Sequence, residues 1–159
     1  MIPKKFKMDY ASYYPDNRIK LTTVLRRPAL KFLLFLRLSE RSKLFYIIQR
    51  IYGRKFGLEL ESHNIGGGLN LGHPFNITVN PSAKLGEWVS LTKGVTIGIE
   101  KGACPTINDG VRLGANATVT GPVTIGKYAK IAPNTFVNFE VPDKSVVTMS
   151  KAKIHIKKD

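Results

Sequence analysis

The sequence predicts a mainly β protein in which a short basic α-helical segment precedes a coil of parallel β-strands with three flat sides. Three observations support this fold class. Apolar residues recur at helical spacing between residues 24 and 56, aliphatic residues recur every sixth position from residue 65 onward, and a small residue often follows the aliphatic one. We therefore divide the chain into a helical segment at 1–57, a coil domain at 58–148 and a basic tail at 149–159.

The positive charge of the chain is concentrated at its two ends. The 159 residues are 43% apolar, as in an ordered domain, and 25 Lys and Arg against 11 Asp and Glu give a net charge of +14. Residues 1–58 hold 14 basic and 3 acidic residues, whereas residues 59–150 hold 7 of each. A nucleic-acid-binding domain usually carries its basic stripe on the folded face, so we expect an anionic surface or cofactor as partner and no nucleic acid.

The helical segment is predicted to contain two helices, at about 28–39 and 42–53. Pro28 suits a first helical turn and Gly53 suits a helix stop. Two interpretations remain open for this pair. The helices pack against the rest of the protein, or they form a basic interfacial pair that lies on anionic lipid.

The sequence contains no predicted membrane span and no recognisable signal peptide. The longest apolar runs, Phe32–Leu36 and Leu44–Ile48, have five residues each, far fewer than the roughly 20 that cross a bilayer. The single cysteine, Cys104, excludes an internal disulfide. We therefore expect a cytoplasmic protein, with peripheral contact at the inner face of the membrane as a hypothesis.

The six-residue repeat is the strongest signal in the chain. Its period fits neither the 3.6 residues of a helical turn nor the alternation of a hairpin sheet. It fits a coil in which each aliphatic side chain points inward from a short strand and the small residue turns the corner, with three hexads to a turn. Residues 65–142 then make roughly four turns. The inward positions are Ile65, Leu71, Ile77, Val79, Leu85, Leu91, Ile97, Ile107, Leu113, Val119, Ile125, Ile131 and Val137.

Two breaks interrupt the repeat. The step from Ile77 to Val79 reads as two extra residues, and the step from Ile97 to Ile107 is ten residues instead of six. The second break predicts a small loop at about 99–104 that projects from the coil. Projecting loops are where repeat proteins usually carry specificity.

The hexads resemble those of the left-handed parallel β-helix acyltransferases. Residues 71–98 resemble, without a gap, the catalytic segment of serine acetyltransferases, and residues 103–117 and 141–147 resemble the colanic-acid-type exopolysaccharide acetyltransferases of the same superfamily. The resemblance covers about residues 28–154. It implies a left-handed coil, a homotrimer, and acetyl-CoA bound in the groove between neighbouring coils.

His73 stands where this family keeps its catalytic histidine, after Leu71 and Gly72. Acetyl transfer to a hydroxyl needs a base, and an imidazole can accept the hydroxyl proton near neutral pH. In the family a carboxylate nearly one coil earlier orients the histidine. The resemblance nominates Glu59 for this role, with Glu61 as the second candidate, because the intervening segment is one residue shorter than in the serine enzymes.

The resemblance also nominates residues that bind the acetyl donor. The family holds acetyl-CoA with backbone amides and small residues on successive coils, which points to Gly98, Ala115 and Ala132. Lys151 and Lys153 in the basic tail are candidates for its phosphates. With one cysteine and no histidine pair at ligand spacing, no metal is expected.

The acceptor is predicted from departures within the resemblance. Serine acetyltransferases carry an Asp before the catalytic histidine and an Arg-His pair in the loop, where this chain has Gly72, Ala103 and Cys104. A site without these charged partners binds an amino acid poorly, whereas a sugar hydroxyl does not require them. The candidate acceptor-binding residues are Asn70, Asn76, Trp88 and Cys104.

The sequence therefore predicts an acetyl-CoA-dependent O-acetyltransferase acting on a sugar hydroxyl in exopolysaccharide or surface glycan biosynthesis. The acceptor is a glycan or a lipid-linked glycan. Two alternatives stay open: a serine O-acetyltransferase of cysteine biosynthesis, and a non-catalytic trimeric β-helix scaffold.

Overall fold

The computed structural model describes residues 2–15 and 18–149. Within those residues four helices come first: α1 (Lys4–Tyr13), α2 (Leu21–Arg26), α3 (Pro28–Ser39) and α4 (Lys43–Arg54). The strands of the described residues are β1 (Leu58–Glu59), β2 (Asn70–Gly72), β3 (Ile77–Val79), β4 (Lys84–Leu85), β5 (Ser90–Thr92), β6 (Thr96–Gly98), β7 (Thr106–Ile107), β8 (Arg112–Leu113), β9 (Thr118–Thr120), β10 (Thr124–Ile125), β11 (Lys130–Ile131), β12 (Phe136–Val137) and β13 (Val146–Val147).

The strands form three parallel sheets that are the faces of one coil. Face A contains β1, β3, β6, β9 and β12, face B contains β4, β7 and β10, and face C contains β2, β5, β8, β11 and β13. Every ladder between these strands is parallel. Five strands on faces A and C make about five turns, one more than predicted, because β1 lies before the first recognised hexad.

The aliphatic residues of the repeat fill the centre of the coil, as predicted. Each of the predicted inward positions is buried. Along face C, Leu71 pairs with Leu91, and Leu91 pairs with Leu113 in the next coil. Each layer therefore buries apolar surface against the layer above it. Such burial stabilises the fold by about 25 cal/mol per Å² of apolar surface.

The predicted projecting loop is present at residues 99–104. Backbone hydrogen bonds join Glu100 and Ala103 in both directions at 3.0 and 3.1 Å, so the segment folds back on itself. Lys101 at its tip has a φ of 51°. The extra residues leave the coil without disturbing the parallel pairing of β6 with β9 above them.

The helices close the lower end of the coil, where the first turn has no neighbouring turn beneath it. The centre of this cap is the ion pair between Arg37 of α3 and Asp9 of α1, whose side chains are both 0% exposed. Arg37 donates two hydrogen bonds to the Asp9 carboxylate at 2.8 and 3.1 Å, and others to the carbonyls of Ile65 at 3.0 Å and Gly66 at 2.6 Å. The pair thereby satisfies backbone groups of the first coil as well as its own charges.

Asp9 and Gln49 also satisfy backbone groups of the coil. Asp9 accepts a hydrogen bond from the Leu69 amide at 2.8 Å, and Gln49 of α4 donates to the Leu60 carbonyl at 3.2 Å. Burial raises the pKa of Asp9, while the Arg37 hydrogen bonds and charge oppose that rise. We use the term helical cap for α1, α3 and α4.

The two helices predicted from sequence coincide with α3 and α4. The packing interpretation holds for α3, whose Leu30, Phe32, Leu33 and Leu36 are fully buried. Helix α4 packs through a narrower face and leaves much of its apolar surface exposed. Among the described helices, none has the length and hydropathy that crossing a bilayer requires.

Candidate active site

His73 lies in a two-residue insertion at the corner where face C turns into face A. Five residues, 73–77, separate Gly72 from Thr78, whereas three residues, 93–95, separate their partners Thr92 and Thr96 on the next coil. The carbonyl of Phe75 accepts a hydrogen bond from Gly94, as the carbonyl of Lys93 does from Asn116. Phe75 therefore occupies the place of Lys93, and the inserted residues are His73 and Pro74.

This placement corrects the predicted position of the first break. The hexad pattern alone predicts two extra residues at the step from Ile77 to Val79. Both side chains instead point into the core from β3, with Thr78 between them facing outward. Since a strand alternates its side chains, two inward residues fit on one face, and the extra length belongs to the preceding corner.

The insertion holds His73 in a left-handed backbone conformation with its side chain exposed. Its φ is 55°, and its carbonyl accepts a 2.7 Å hydrogen bond from the amide of Phe75, two residues later. Such a φ costs a residue other than glycine about 1 kcal/mol or more. Seven other non-glycine residues, among them Asn116 and Asn134 at the equivalent corner of higher coils, have φ values of 51–60°, so this conformation recurs in the coil. His73 differs from them in lying within the two-residue insertion.

A pocket of about 340 Å³ surrounds His73 at the junction of the coil with the helical cap. Tyr13, Arg27 and Phe75 line it together with His73 and Gly72. Neither Tyr13 nor Arg27 can be identified from the repeat, because both lie in the helical segment, far from the repeat in sequence. The Arg27 guanidinium also lies over the Tyr14 ring at 5.7 Å.

Tyr13 fixes the strand that leads into the insertion. Its hydroxyl accepts a hydrogen bond from the Leu71 amide at 2.6 Å and donates one to the Leu71 carbonyl at 3.1 Å. Burial raises the pKa of this phenol well above its usual range, so it stays protonated and can donate. One side chain thus pairs both backbone groups of Leu71 on the open edge of β2.

We expect Tyr13→Phe to destabilise the protein by about 1–3 kcal/mol, because the amide and carbonyl of Leu71 lose their partner. Urea unfolding followed by circular dichroism measures this change. Tyr14→Phe is the matched control, since Tyr14 packs through its ring, whose centroid lies 5.3 Å from that of Tyr10 at an interplanar angle of 35°. Equal stability of Tyr13→Phe and wild type would show that the hydroxyl does not hold β2.

The nominated carboxylates do not contact His73 within this chain. Glu59 lies on face A, in register with Thr78, and lines a different groove. The Glu61 carboxylate lies 3.7 Å from His63 and accepts a hydrogen bond from Tyr46 at 3.4 Å. Among the described residues, no carboxylate lies within 4.0 Å of the His73 ring nitrogens. An orienting role for Glu59 or Glu61 stays a prediction.

The residues nominated for the acetyl donor do not share one corner. Gly98 ends β6 and lines a groove of about 310 Å³ on face A, whereas Ala115 and Ala132 follow β8 and β11 at the corner after face C. The prediction placed all three on matching corners, and the loop explains the error: its extra residues put Lys93, not Gly98, one coil below Ala115. Lys151 and Lys153 lie outside the described residues.

The residues nominated for the acceptor fall into three places. Asn70 and Trp88 line a pocket of about 340 Å³ on face C with Arg112, and the Asn70 amide donates to the Ser12 carbonyl at 3.3 Å. Asn76 lies at the His73 corner with a φ of 52°. Cys104 is half-buried at the end of the projecting loop and packs against the core.

Trp88 owes its position to a glycine on the coil below. Its φ is 59°, and its ring lies so close to Gly68 that a β-carbon there would come within 2.6 Å of ring atoms. Trp88 packs closely on Gly68 and is still 46% exposed. An exposed aromatic ring can stack on a sugar ring or a base.

Comparison with known proteins finds a hexapeptide transferase family and several acetyltransferases. The family described as bacterial transferase hexapeptide (six repeats) matches residues 104–138. The serine acetyltransferase of Helicobacter pylori strain 26695 is 31% identical over 150 residues, covering 87% of this chain and 88% of that protein. WcaB of Escherichia coli K12, assigned as a colanic acid biosynthesis acetyltransferase, is 32% identical over 105 residues, covering 64% of this chain and 65% of that protein.

Solved structures that resemble this chain are also acetyltransferases. A serine acetyltransferase in complex with CoA superposes with a TM-score of 0.73 at 26% identity, covering 89% of this chain and 64% of that one. The chain thus spans slightly less than two thirds of that protein and of WcaB. The likeness extends into the helical segment, because the coil alone is shorter than the 89% of this chain that is covered.

Proposed function

The chain belongs to the hexapeptide-repeat transferase family of left-handed β-helix proteins, among relatives that are acetyltransferases, and from this premise we propose a specific reaction. The protein is a cytoplasmic O-acetyltransferase that moves the acetyl group of acetyl-CoA to a sugar hydroxyl of a surface glycan or its lipid-linked precursor. The observation that carries this proposal is the insertion of His73 and Pro74, which presents an exposed imidazole in the lining of a pocket.

His73 acts as the general base in this proposal. It accepts the proton of the acceptor hydroxyl as that oxygen bonds to the acetyl carbonyl carbon. When the bond from that carbon to sulfur breaks, the proton passes from the imidazole to the departing thiolate, so CoA leaves as a thiol. Base catalysis of this kind contributes about 10²–10⁴-fold to a rate.

The choice of a sugar rests on what stands beside His73. Gly72 precedes it and lines the same pocket, so no carboxylate from that position meets an amino group. Ala103 and Cys104, at the end of the projecting loop, likewise carry no charge. Each charge-assisted hydrogen bond to an amino acid contributes about 1.5–3 kcal/mol to its binding. A sugar that accepts the acetyl group on a hydroxyl does not require such bonds.

Serine is the second candidate acceptor, and two observations favour it. The Helicobacter pylori serine acetyltransferase matches over most of both chains. In addition, Arg27 lines the His73 pocket and offers a guanidinium for a carboxylate. Uronic acids carry the same group, so Arg27 is compatible with either acceptor.

We propose acetyl-CoA as the donor and a homotrimer as the active form. A related enzyme has been solved with CoA, and Gly98 lines an open groove beside Thr78 and Thr96 that leaves room for an extended chain. Trimer formation is supported by large apolar side chains that the outer faces of the coil leave exposed, among them Phe136 and Phe139.

The test measures release of CoA thiol from acetyl-CoA with L-serine, neutral oligosaccharides and uronate-containing oligosaccharides as separate acceptors. We expect saturable turnover with an oligosaccharide and little with serine. The Gly72→Asp variant is the matched control, because it restores the carboxylate that serine enzymes carry and should raise serine turnover relative to sugar turnover.

Efficient turnover of L-serine by the wild-type protein would overturn the sugar assignment and establish the second candidate. No turnover with any acceptor, together with no thermal stabilisation by acetyl-CoA, would support the scaffold alternative. An enzyme saturated at 100 times its dissociation constant gains about 2.7 kcal/mol of stability.

A further inference from the structure

Helix α4 is attached to the coil by its polar and small residues. Gln49 is buried and donates to the Leu60 carbonyl at 3.2 Å. Gly53, one turn later, lies so close to the coil that a β-carbon would come within 2.7 Å of the Leu58 carbonyl oxygen. Residues four apart lie on the same side of a helix, so these two define the side that faces the protein.

The opposite side of α4 presents an exposed apolar stripe, which we define as Leu44, Ile47 and Ile51. These side chains are 63%, 54% and 56% exposed. At 100° per residue, they lie on the side of α4 opposite Gln49 and Gly53. The apolar stripe of most surface helices faces the core, whereas this one faces away from it.

Basic residues flank the apolar stripe. Lys43, Arg54 and Lys55 are exposed on either side of it. The sequence contains no acidic residue between Glu40 and Glu59. Arg50 is set apart, because it lines the face A groove together with Glu59 and Glu61.

We infer that the apolar stripe of α4 and its flanking cations form a docking surface for an anionic lipid bilayer. Apolar side chains can enter the boundary between headgroups and acyl chains while lysine and arginine stay at the level of the lipid phosphates. Charge complementarity favours the leaflet over a two-fold contact between copies. A second copy docked about a two-fold axis would bring the same cations against each other, whereas an anionic leaflet matches them. The helix would lie in the membrane plane, since it is too short and too charged to cross.

The experiment is flotation of the full-length protein with vesicles of phosphatidylcholine, with and without phosphatidylglycerol. We expect binding to the anionic vesicles at low salt, weakening as salt shortens the screening length from about 10 Å at 0.1 M to about 3 Å at 1 M. The triple variant Leu44→Gln, Ile47→Gln, Ile51→Gln should bind the vesicles at least about tenfold more weakly, because it removes the inserted apolar area. Glutamine keeps the helix propensity of the replaced residues.

Two matched sets of substitutions distinguish binding by the docking surface from attraction by net charge. Lys43→Gln, Arg54→Gln, Lys55→Gln removes three charges beside the stripe, and Lys84→Gln, Lys93→Gln, Lys101→Gln removes three from the exposed outside of the coil. The first set should lower binding and the second should leave it nearly unchanged. Circular dichroism and thermal unfolding check that every variant folds, as expected for side chains that point to solvent.

Three outcomes would overturn the inference. Wild-type protein that stays unbound to anionic vesicles at low salt has no such docking surface. Equal loss of binding in both charge sets would show attraction by net charge alone. A change of oligomeric state in the glutamine variant, measured by sedimentation, would assign the stripe to contacts between copies of the chain instead of lipid.

Discussion

Replacing His73 with alanine should lower the rate of acetyl transfer by about two to four orders of magnitude, the usual contribution of a general base. Binding of the substrates should change much less, because His73 is an exposed side chain and one of nine residues that line its pocket. Initial rates of CoA release over a range of acceptor concentrations separate kcat from KM. A loss confined to kcat supports proton transfer by the imidazole.

His73→Gly tests whether the backbone conformation is held for the sake of the side chain. Glycine adopts a φ of 55° without steric cost, so this variant should be as stable as the wild type or more stable by up to about 1 kcal/mol. It should be as inactive as His73→Ala. Full activity in either variant would remove His73 from the chemistry, whatever its place in the fold.

Replacing Arg37 with alanine should cost about 3–5 kcal/mol of stability, the largest effect we expect from a single substitution in the cap. The change leaves the Asp9 carboxylate buried without its partner and removes donors from the carbonyls of Ile65 and Gly66. Thermal and urea unfolding measure the loss. Arg37→Lys should recover only part of it, because one ammonium group cannot reproduce the two-pronged contact with the carboxylate.

The Lys5 and Glu40 pair supplies the control for Arg37. These groups lie 2.9 Å apart, with side chains 35% and 31% exposed. Lys5→Ala should cost only about 0–1 kcal/mol, since solvent screens the pair. If Arg37→Ala proved as mild as Lys5→Ala, the buried network would not be what holds the first coil to the helices.

The repeat made the coil predictable from sequence because it encodes one local rule many times. Every inward aliphatic residue occupies a position equivalent to those above and below it. A mistake in placing one break of the repeat therefore does not change which residues are assigned to the core. The displaced break shows this. Ile77 and Val79 were both correctly assigned to the core, although the two extra residues lie at His73 and Pro74.

The site was less predictable because it combines segments that no single period relates. Tyr13 of α1 and Arg27, between α2 and α3, line the same pocket as His73. Helix α1 itself was not predicted, since its buried side includes Asp9, and a charged residue does not read as part of a core. Only the partner, Arg37 of α3, explains why it is there.

The helical cap also has a consequence for how these molecules behave toward each other in a crowded cell. A coil of parallel strands ends in a row of free amides and carbonyls, which is a template on which other chains can polymerise into fibres. At the lower end, Asp9, Tyr13, Arg37 and Gln49 already occupy groups of that row. A stack of coils can therefore not continue through this end by adding another chain, and the molecule keeps a finite length in that direction.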